Sequence, residues 1–262
     1  MQDTRPPPGP NAAQMASPSF RLPALDQDFL LAEEQRGVRF LLEYAKAEQA
    51  LARWSVKSTI VVFGSARVRE NGPGKQAGWY AAAREFGRLA STHGGALNAG
   101  AAPRENVIAT GGGPGLMEAA NRGAAEAGAP SIGFNIRLPH EQEPNAYSTP
   151  ELTFLFHYFA MRKMHLAMRA NALVVFPGGF GTFDELFEIL ALIQTGKMRR
   201  VPVVLFDSAY WHRVFNFDAV VETGMIAPGD LDLLAYADTP EAIWKLIATA
   251  DGIAPDRPLV QP

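Results

Sequence analysis

Cysteine is missing from the 262-residue chain, and charges of the two signs nearly balance. Without thiols the chain cannot form disulfide bonds, bind a metal through thiolates or use a cysteine nucleophile. The five histidines have no HExxH or other zinc-type spacing, so we predict no metal site. A formal net charge of −3 gives no electrostatic reason to expect a nucleic acid as partner.

Long apolar runs are also missing. No run reaches the ~18 residues of a membrane-spanning helix, so we predict no membrane partner. The first residues lack the apolar segment of a secretory signal, and we therefore expect a cytoplasmic protein. With 47% hydrophobic and 19% charged residues, the composition is that of a folded globular protein.

The composition divides the chain into four segments. Six of the twenty prolines lie within residues 1–25, which we predict to be a disordered tail. Residues 26–55 mix apolar and charged side chains at helical spacing and predict a helical extension, in which Gly37 can break the helix. Residues 56–250 are predicted to form the main domain, and residues 251–262 a C-terminal tail.

Short apolar strands alternate with helices throughout residues 56–250. Because strands that are apolar at every residue are buried on both faces, the sheet is predicted to be parallel and covered by helices. We therefore predict a single α/β domain with a Rossmann-like parallel sheet flanked by helices. The strands are predicted at 58–63, 107–110, 131–135, 152–156, 172–176 and 201–206, and the helices at 76–93, 115–127, 160–170, 181–195, 210–222 and 240–248.

A glycine-rich loop, FPGGFGTFDE at 176–185, joins a predicted strand to a predicted helix. Gly178, Gly179 and Gly181 let the backbone come close to a ligand, and the free N–H groups at a helix start favour an anion such as a phosphate. Thr182 adds a hydroxyl, and Glu185 lies one turn further along the same side of the helix. The alternative is a tight turn in which Thr182 and Glu185 form a capping box.

Two further loops follow strands at the same predicted edge of the sheet. In TGGGPGLM at 110–117, Gly112 and Gly113 either hold another part of a nucleotide or make a structural turn. In FGSAR at 63–67, Ser65 can hydrogen-bond a ligand, and Arg67 either meets a phosphate or is an ordinary surface side chain.

The segment 158–169 places basic side chains on one helix face. Arg162, His165 and Arg169 follow each other at i, i+3 and i+7, with Lys163 about 100° round the helix. Such a face is commonly only solvated, but this one shortly precedes the strand of the phosphate loop. The methionines in the segment favour packing in the core.

Together these motifs resemble the LOG family of cytokinin-activating nucleoside-monophosphate phosphoribohydrolases. PGGFGTFDE at 177–185 matches the family's PGGxGTxxE, and Met161, Arg162 and Lys163 match the residues that precede it. The segments 110–117 and 63–67 match the family's other glycine-rich loops, so the resemblance covers roughly residues 58–245.

The resemblance implies a homodimer or larger homo-oligomer that uses no cofactor, pyridoxal phosphate included. It implies hydrolysis of the N-glycosidic bond of purine nucleoside 5′-monophosphates, AMP-like or of cytokinin type, to free base and ribose 5-phosphate. Arg162 and Glu185 match the catalytic pair. The expected substrate- and phosphate-binding residues are Ser65, Arg67, Gly112, Gly113, Met161, Lys163, Gly178, Gly179, Gly181 and Thr182.

The roles within the pair stay open at this point. A carboxylate near the ribose stabilises the positive charge that develops as the glycosidic bond breaks, and Glu185 can also orient the attacking water. Arg162 either assists the departing base or keeps Glu185 ionised and positions the substrate.

Two other functions would use the same loops. A carrier that binds a nucleotide or the molybdenum cofactor would need the glycine loop but not both Arg162 and Glu185, and the presence of both favours an enzyme. A broad-specificity salvage nucleosidase would share the chemistry but act on a different nucleotide. A dehydrogenase is poorly supported, because no GxGxxG follows the first strand.

Overall fold

The computed structural model describes residues 9–139 and 143–250. The chain divides into two compact units, Met1–Ala45 and Lys46–Pro262. The second unit therefore begins inside the segment that was predicted as a helical extension. The predicted tail at 251–262 and the first eight residues lie outside the described residues.

Short helical segments make up the described part of the first unit. They are α1 (Ala12–Ala16), α2 (Gln27–Leu31), the start of α3 (Arg36–Arg53) and 3-10 turns at Pro18–Phe20, Pro23–Leu25 and Glu33–Gln35. No residue of the helix and the two turns within 12–25 is buried, and the predicted tail at 1–25 stays a prediction. Proline fits these turns because it starts two of them, where no N–H donor is needed. Gly37 does not break the helix, since α3 continues through it.

Within the described residues, the second unit contains one sheet of seven strands. The strands are β1 (Thr59–Phe63), β2 (Val107–Thr110), β3 (Ile132–Ile136), β4 (Thr153–Phe156), β5 (Ala170–Val175), β6 (Val203–Phe206) and β7 (Leu234–Ala237). Their order across the sheet is β4-β3-β2-β1-β5-β6-β7, and every neighbouring pair is parallel. The predicted α/β fold with a parallel sheet is confirmed.

Helices cover both faces of the sheet. Ile60 and Val62 of β1 pack with one buried cluster, whereas Val61 and Phe63 pack with the other, as expected when successive side chains alternate between the faces. None of the helices in the described part of the chain is long and apolar enough to cross a membrane. The helices are α4 (Gln76–His93), α5 (Leu116–Glu126), α6 (Phe159–Met168), α7 (Phe180–Gln194), α8 (Ser208–Val214), α9 (Phe217–Glu222) and α10 (Pro240–Ala248).

Besides shifts of one or two residues at several other element ends, the structure differs from the predicted elements in three places. Strand β7 was not predicted, because its sequence LAYA is short and contains no β-branched residue. The helix predicted at 210–222 is two helices, α8 and α9, separated at Phe215 and Asn216. Ala170, predicted to end a helix, is instead the first residue of β5.

The strand order places a crevice next to β1. From β1 the chain proceeds outward through β2, β3 and β4, whereas from the adjacent β5 it proceeds the other way through β6 and β7. The loops that leave β1 and β5 therefore diverge at the carboxyl ends of these strands. This switch point is where open parallel sheets bind their ligands.

Candidate active site

A cavity of about 890 Å³ opens at the switch point. Its lining comes mainly from the loop after β1, the loop after β5 and the start of α7. Of the residues predicted from the sequence, the lining includes Ser65, Arg67, Arg162, Gly178, Gly179, Gly181 and Thr182. Three separate sequence motifs thus meet at one cavity.

The glycine loop leads directly into α7, whose N-cap residue is Gly179. The Gly179 carbonyl accepts hydrogen bonds from the N–H groups of Thr182 (2.9 Å) and Phe183 (3.0 Å). Within the described part of the chain, the N–H groups of Gly179, Phe180 and Gly181 donate to no partner, as is usual for the first turn of a helix. The helix thus presents unpaired donors beside the cavity.

The two central glycines of this loop have different surroundings. A Cβ on Gly178 would lie only 2.1 Å from Oγ1 of Thr182, so this glycine permits a close approach of the loop to the first helical turn. A Cβ on Gly179 would meet nothing within 4 Å. The capping-box alternative is wrong, because α7 begins at Phe180 with no side-chain cap and Thr182 is buried inside its first turn.

Arg162 of α6 and Glu185 of α7 form a buried ion pair. The guanidinium Nη2 donates a hydrogen bond to Oε1 of the carboxylate, and the two residues are only 9% and 3% exposed. Arg162 lines the cavity, whereas Glu185 lies behind it. The Nε atom of Arg162 is buried without a hydrogen-bond partner among the described residues, and the guanidinium carbon lies 5.1 Å from the ring centroid of Phe159.

Burial controls the acidity of Glu185. It raises the pKa of this carboxyl group above its ordinary value, because water is displaced from around the charged form. The positive charges of Arg162 and Lys163 lower the pKa and offset only part of this effect, while the negative charges of Glu188 and Asp184 raise it further. Four charged neighbours therefore tune one carboxyl group beside the cavity.

Lys163 bridges α6 and α7 next to the buried pair. Its Nζ lies 2.8 Å from Oδ2 of Asp184 and 2.9 Å from Oε2 of Glu188. Burial lowers the pKa of Lys163, but the hydrogen bonds to these carboxylates outweigh it and the net direction is upward. Lys163 is therefore engaged with α7 and does not belong to the lining of the cavity.

The loop after β1 lies against the loop after β5. The N–H of Ser65 donates to the carbonyl oxygen of Pro177 (3.0 Å), and the N–H of Arg67 donates to Oγ of Ser65 (3.1 Å). The side chain of Ser65 is half-buried and Arg67 is exposed. Both residues line the cavity, as the phosphate-binding interpretation requires.

The second glycine loop is engaged elsewhere. The carbonyl of Gly112 accepts from the N–H of Asn145 (2.8 Å), and the carbonyl of Gly113 accepts from the Asn145 side chain (3.2 Å). Both glycines are buried and neither belongs to the lining of the cavity. Met161 is half-buried and packs against the core. These three predicted residues are not brought to the cavity wall.

Several lining residues were not among the site residues predicted from the sequence. Tyr210 of α8 donates its hydroxyl to the carbonyl oxygen of Gly178 (2.6 Å), although 32 residues separate them. Phe180, 92% exposed, lies at the start of α7, and further apolar lining comes from Met117, Ile136, Leu138 and Phe159. Only the packing of distant elements brings these side chains together. Across the described residues, no group of three or more histidine, aspartate or glutamate side chains is arranged to hold a metal ion.

Comparison with known proteins identifies the family of this chain. A family model described as "Possible lysine decarboxylase" matches residues 117–247, which is half of the chain. The chain belongs to this family, the LOG family. The matched region contains Arg162, Lys163, the glycine loop and Glu185, so the LOG assignment rests on the segment that builds one side of the cavity.

Curated relatives carry the same family name. The chain is 29% identical over 143 residues to the probable cytokinin riboside 5'-monophosphate phosphoribohydrolase LOGL2 of Oryza sativa, covering 54% of this chain and 58% of the relative. It is 28% identical over 147 residues to the cytokinin riboside 5'-monophosphate phosphoribohydrolase LOG5 of Arabidopsis thaliana, covering 55% of this chain and 64% of the relative. The similarity thus spans about three fifths of the length of these LOG relatives.

One of two similar solved structures superposes well enough to show the fold. The X-ray structure of TM1055 superposes with a TM-score of 0.52 at 21% identity, covering 74% of this chain and 99% of that one. A Moco carrier protein from Chlamydomonas reinhardtii superposes less well, with a TM-score of 0.47 at 25% identity over 74% of this chain and 99% of that one. The first of these similarities shows a shared α/β fold and says nothing about the ligand.

Proposed function

We propose that this protein is a nucleoside 5′-monophosphate phosphoribohydrolase that acts on purine nucleotides of the AMP or cytokinin type. The observation that carries the proposal is the buried Arg162–Glu185 pair, positioned beside a cavity that is also lined by the glycine loop. The names of the curated LOG relatives support the same reaction class. A carrier would need the loop but would have no use for an acid behind a cavity-lining arginine.

The phosphate of the substrate is proposed to bind at the start of α7. The unpaired N–H groups of Gly179, Phe180 and Gly181 and the positive end of the helix dipole favour an anion there. Ser65 and Arg67 line the same cavity and supply a hydroxyl and a positive charge. Binding the phosphate fixes the sugar relative to Arg162, which lowers the entropic part of the barrier.

Hydrolysis is proposed to proceed by cleavage of the bond between ribose C1′ and the base nitrogen. The electrons of this bond leave with the base, and C1′ acquires oxocarbenium character. Water adds its oxygen to C1′, one of its protons is released to Glu185 or to solvent, and one proton is taken up by the departing base. The products are the free base and ribose 5-phosphate, which together contain all the atoms of the water.

The two members of the pair receive separate roles. Arg162 lines the cavity and is proposed to contact the substrate, and its positive charge also favours the ionised form of Glu185. One carboxylate oxygen of Glu185 accepts from Arg162, and the other accepts no hydrogen bond from the described residues. We propose that this second oxygen orients the attacking water and stabilises the developing charge on the sugar.

The base is proposed to lie against the apolar part of the lining. Met117, Ile136, Leu138 and Phe159 provide this surface, and about 890 Å³ suits a ligand of nucleotide size.

Lys163 acts indirectly in this proposal, by holding α7 to α6. Assembly into a homodimer or larger homo-oligomer and a cytoplasmic location, both expected from the sequence, remain parts of the proposal.

The decisive experiment incubates the purified protein with AMP, GMP, CMP and isopentenyl-AMP. Chromatography measures the free base, and a coupled assay measures ribose 5-phosphate. Equal amounts of base and ribose 5-phosphate from AMP or isopentenyl-AMP are expected. Release from all four nucleotides alike would favour the salvage nucleosidase, and tight binding without release would overturn the enzymatic proposal in favour of a carrier.

A further inference from the structure

Tyr210 occupies an unusual place in the cavity, because it touches the backbone of the glycine loop. Its hydroxyl donates to the carbonyl oxygen of Gly178 at 2.6 Å, and its side chain lines the cavity. Burial raises the pKa of Tyr210, so the phenol stays protonated and acts as a donor at neutral pH. Tyr210 lies in none of the sequence motifs described above, and the proposed reaction does not use it.

The carbonyl of Gly178 and the N–H of Gly179 belong to the same peptide unit. The described chain has no cis peptide bonds, so this unit is planar and its C=O and N–H point in opposite directions. Holding the carbonyl therefore also fixes the direction of the Gly179 N–H. That N–H has no partner among the described residues, and a Cβ on Gly179 would meet open space.

The preceding peptide unit is fixed in a similar way. The carbonyl oxygen of Pro177 accepts from the N–H of Ser65 at 3.0 Å. Two consecutive carbonyl groups of the loop thus have donors from outside the loop, one from the segment after β1 and one from α8. A glycine pair has wide backbone freedom, and these two bonds remove it before any ligand arrives.

The position of Tyr210 is itself held by a buried carboxylate. Asp207, with a left-handed backbone conformation (φ 66°), caps α8 by accepting from the N–H of Tyr210 at 3.1 Å. The same carboxylate accepts from Nζ of Lys75 (2.9 Å) and Nε1 of Trp79 (2.8 Å), both brought by the start of α4. The Trp79 ring also packs edge-on against the ring of Tyr210, with the centroids 5.8 Å apart.

We propose that Tyr210 is a positioning residue for phosphate recognition, which fixes the Gly178–Gly179 peptide with its N–H directed at the bound anion. This inference rests on the proposed function, since it assumes that the loop binds the 5′-phosphate. Tyr210 touches no reacting atom in this arrangement. Its effect is expected in the affinity for phosphate-bearing ligands and not in the rate of bond cleavage.

The test replaces only the hydroxyl. Tyr210→Phe keeps the ring contacts with Trp79 and Trp211 and removes the bond to Gly178. The matched control is Tyr236→Phe, which makes the same change in a half-buried tyrosine of β7 that stacks on His212 away from the cavity lining. Titration calorimetry measures the Kd for AMP, ribose 5-phosphate, inorganic phosphate and adenosine, and an activity assay measures KM and kcat.

We expect Tyr210→Phe to weaken AMP and ribose 5-phosphate binding roughly 5- to 10-fold, the usual effect of losing one hydrogen bond. Adenosine binding and kcat should stay close to those of the wild type, KM should rise, and Tyr236→Phe should change none of them. An unchanged Kd for AMP in folded Tyr210→Phe would overturn the inference, as would an equal loss of adenosine binding. Wild-type protein that binds AMP without releasing adenine would overturn the proposed reaction but leave this binding test valid, and wild-type protein that binds no phosphate ligand would overturn both.

Discussion

Arg162 and Glu185 form a hydrogen-bonded ion pair between two different helices, with the arginine at the cavity wall and the glutamate behind it. Withdrawing two charges from water costs several kcal/mol each, and their attraction repays this cost only when further hydrogen bonds satisfy the remaining donors and acceptors. A buried ion pair is therefore a costly way to form a cavity wall that has only a structural role. Arg162 lines the same cavity at the switch point as the first turn of α7, whose unpaired N–H groups favour an anion.

The first prediction concerns the acid itself. Glu185→Gln keeps the volume of the side chain and an oxygen that can accept from Arg162, but it removes the negative charge. We expect kcat for AMP to fall by at least ~100-fold, because charge stabilisation and orientation of water are lost, while the Kd for AMP stays close to the wild-type value. Steady-state kinetics and calorimetry on the folded variant measure the two quantities.

Glu188→Gln is the matched control for this prediction. Glu188 lies on the same helix, three residues further on, and it pairs with Lys163 instead of Arg162. Its replacement should leave kcat within the same order of magnitude as the wild type. Full activity of Glu185→Gln would remove Glu185 from the mechanism, and an equal loss in both variants would point to damage of α7 as a whole.

The pH dependence of activity gives a second prediction. If the ionised form of Glu185 is the active one, its raised pKa moves the acid limb of kcat/KM to a higher pH than an ordinary glutamate would give. Lys163 lowers the pKa of Glu185 and Glu188 raises it. Lys163→Gln should therefore move the acid limb to higher pH, and Glu188→Gln should move it to lower pH.

These two variants separate electrostatics from structural damage. Both remove the same Lys163–Glu188 bond, so a loss of packing between α6 and α7 would displace the profile in the same direction. Opposite displacements are expected only from the opposite charges. The effect is measured as a pH–rate profile of kcat/KM for each variant. A range from about pH 4 to about pH 9 begins near the ordinary carboxyl pKa and extends well above it.

Much of the fold could be predicted from the sequence, because strands buried on both faces appear as short runs of apolar residues. The helices predicted at 76–93 and 240–248 and the strand predicted at 107–110 have those bounds in the structure. The β7 sequence LAYA contains no β-branched residue, and its place in the sheet comes from pairing with β6. Pro18 and Pro23 each begin a 3-10 turn near the start of the chain, which proline content alone does not indicate.

The residues of the candidate site could be predicted from the sequence only where they lie within a short sequence motif. The glycine loop, Arg162 and Glu185 lie in two short segments; the loop and Arg162 line one cavity, and Glu185 pairs with Arg162 behind it. Tyr210 was not predicted as a lining residue, since its contact with Gly178 depends on how α8 packs against the loop. Gly112 and Gly113 have the composition of a ligand loop, yet their carbonyl groups bind Asn145, a partner that no local pattern indicates.

The third prediction tests the phosphate loop. Gly179 has φ −111° and ψ −152°, an extended conformation that other residues adopt, and a Cβ there would meet nothing within 4 Å. Gly179→Val should therefore fold normally but place a branched side chain where the anion is proposed to bind. We expect AMP and ribose 5-phosphate to bind roughly tenfold or more weakly, a loss of at least about 1.4 kcal/mol.

Gly229→Val is the control for Gly179→Val. Gly229 lies in the 3-10 helix Pro228–Leu233, outside the cavity lining, and a Cβ there also meets nothing within 4 Å. Its Kd for AMP should match that of the wild type. Unchanged AMP affinity in Gly179→Val, with an unchanged melting temperature, would mean that the phosphate binds somewhere other than at the start of α7.

The fourth prediction concerns the close packing of α4 against α5, which supports the sheet beside the site. A Cβ on Gly87 of α4 would lie 2.2 Å from the carbonyl oxygen of Ala120 in α5, so any side chain there forces the two backbones apart. Gly78 is in the same helix, but a Cβ there would meet nothing within 4 Å. We expect Gly87→Ala to lower the free energy of unfolding by ~1–3 kcal/mol through overpacking. Gly78→Ala should instead raise it by up to ~1 kcal/mol, because alanine restricts the unfolded chain and favours the helix. Urea denaturation followed by circular dichroism measures both values, and a similar change of the same sign in the two variants would show that helix propensity, and not the contact with Ala120, determines the result.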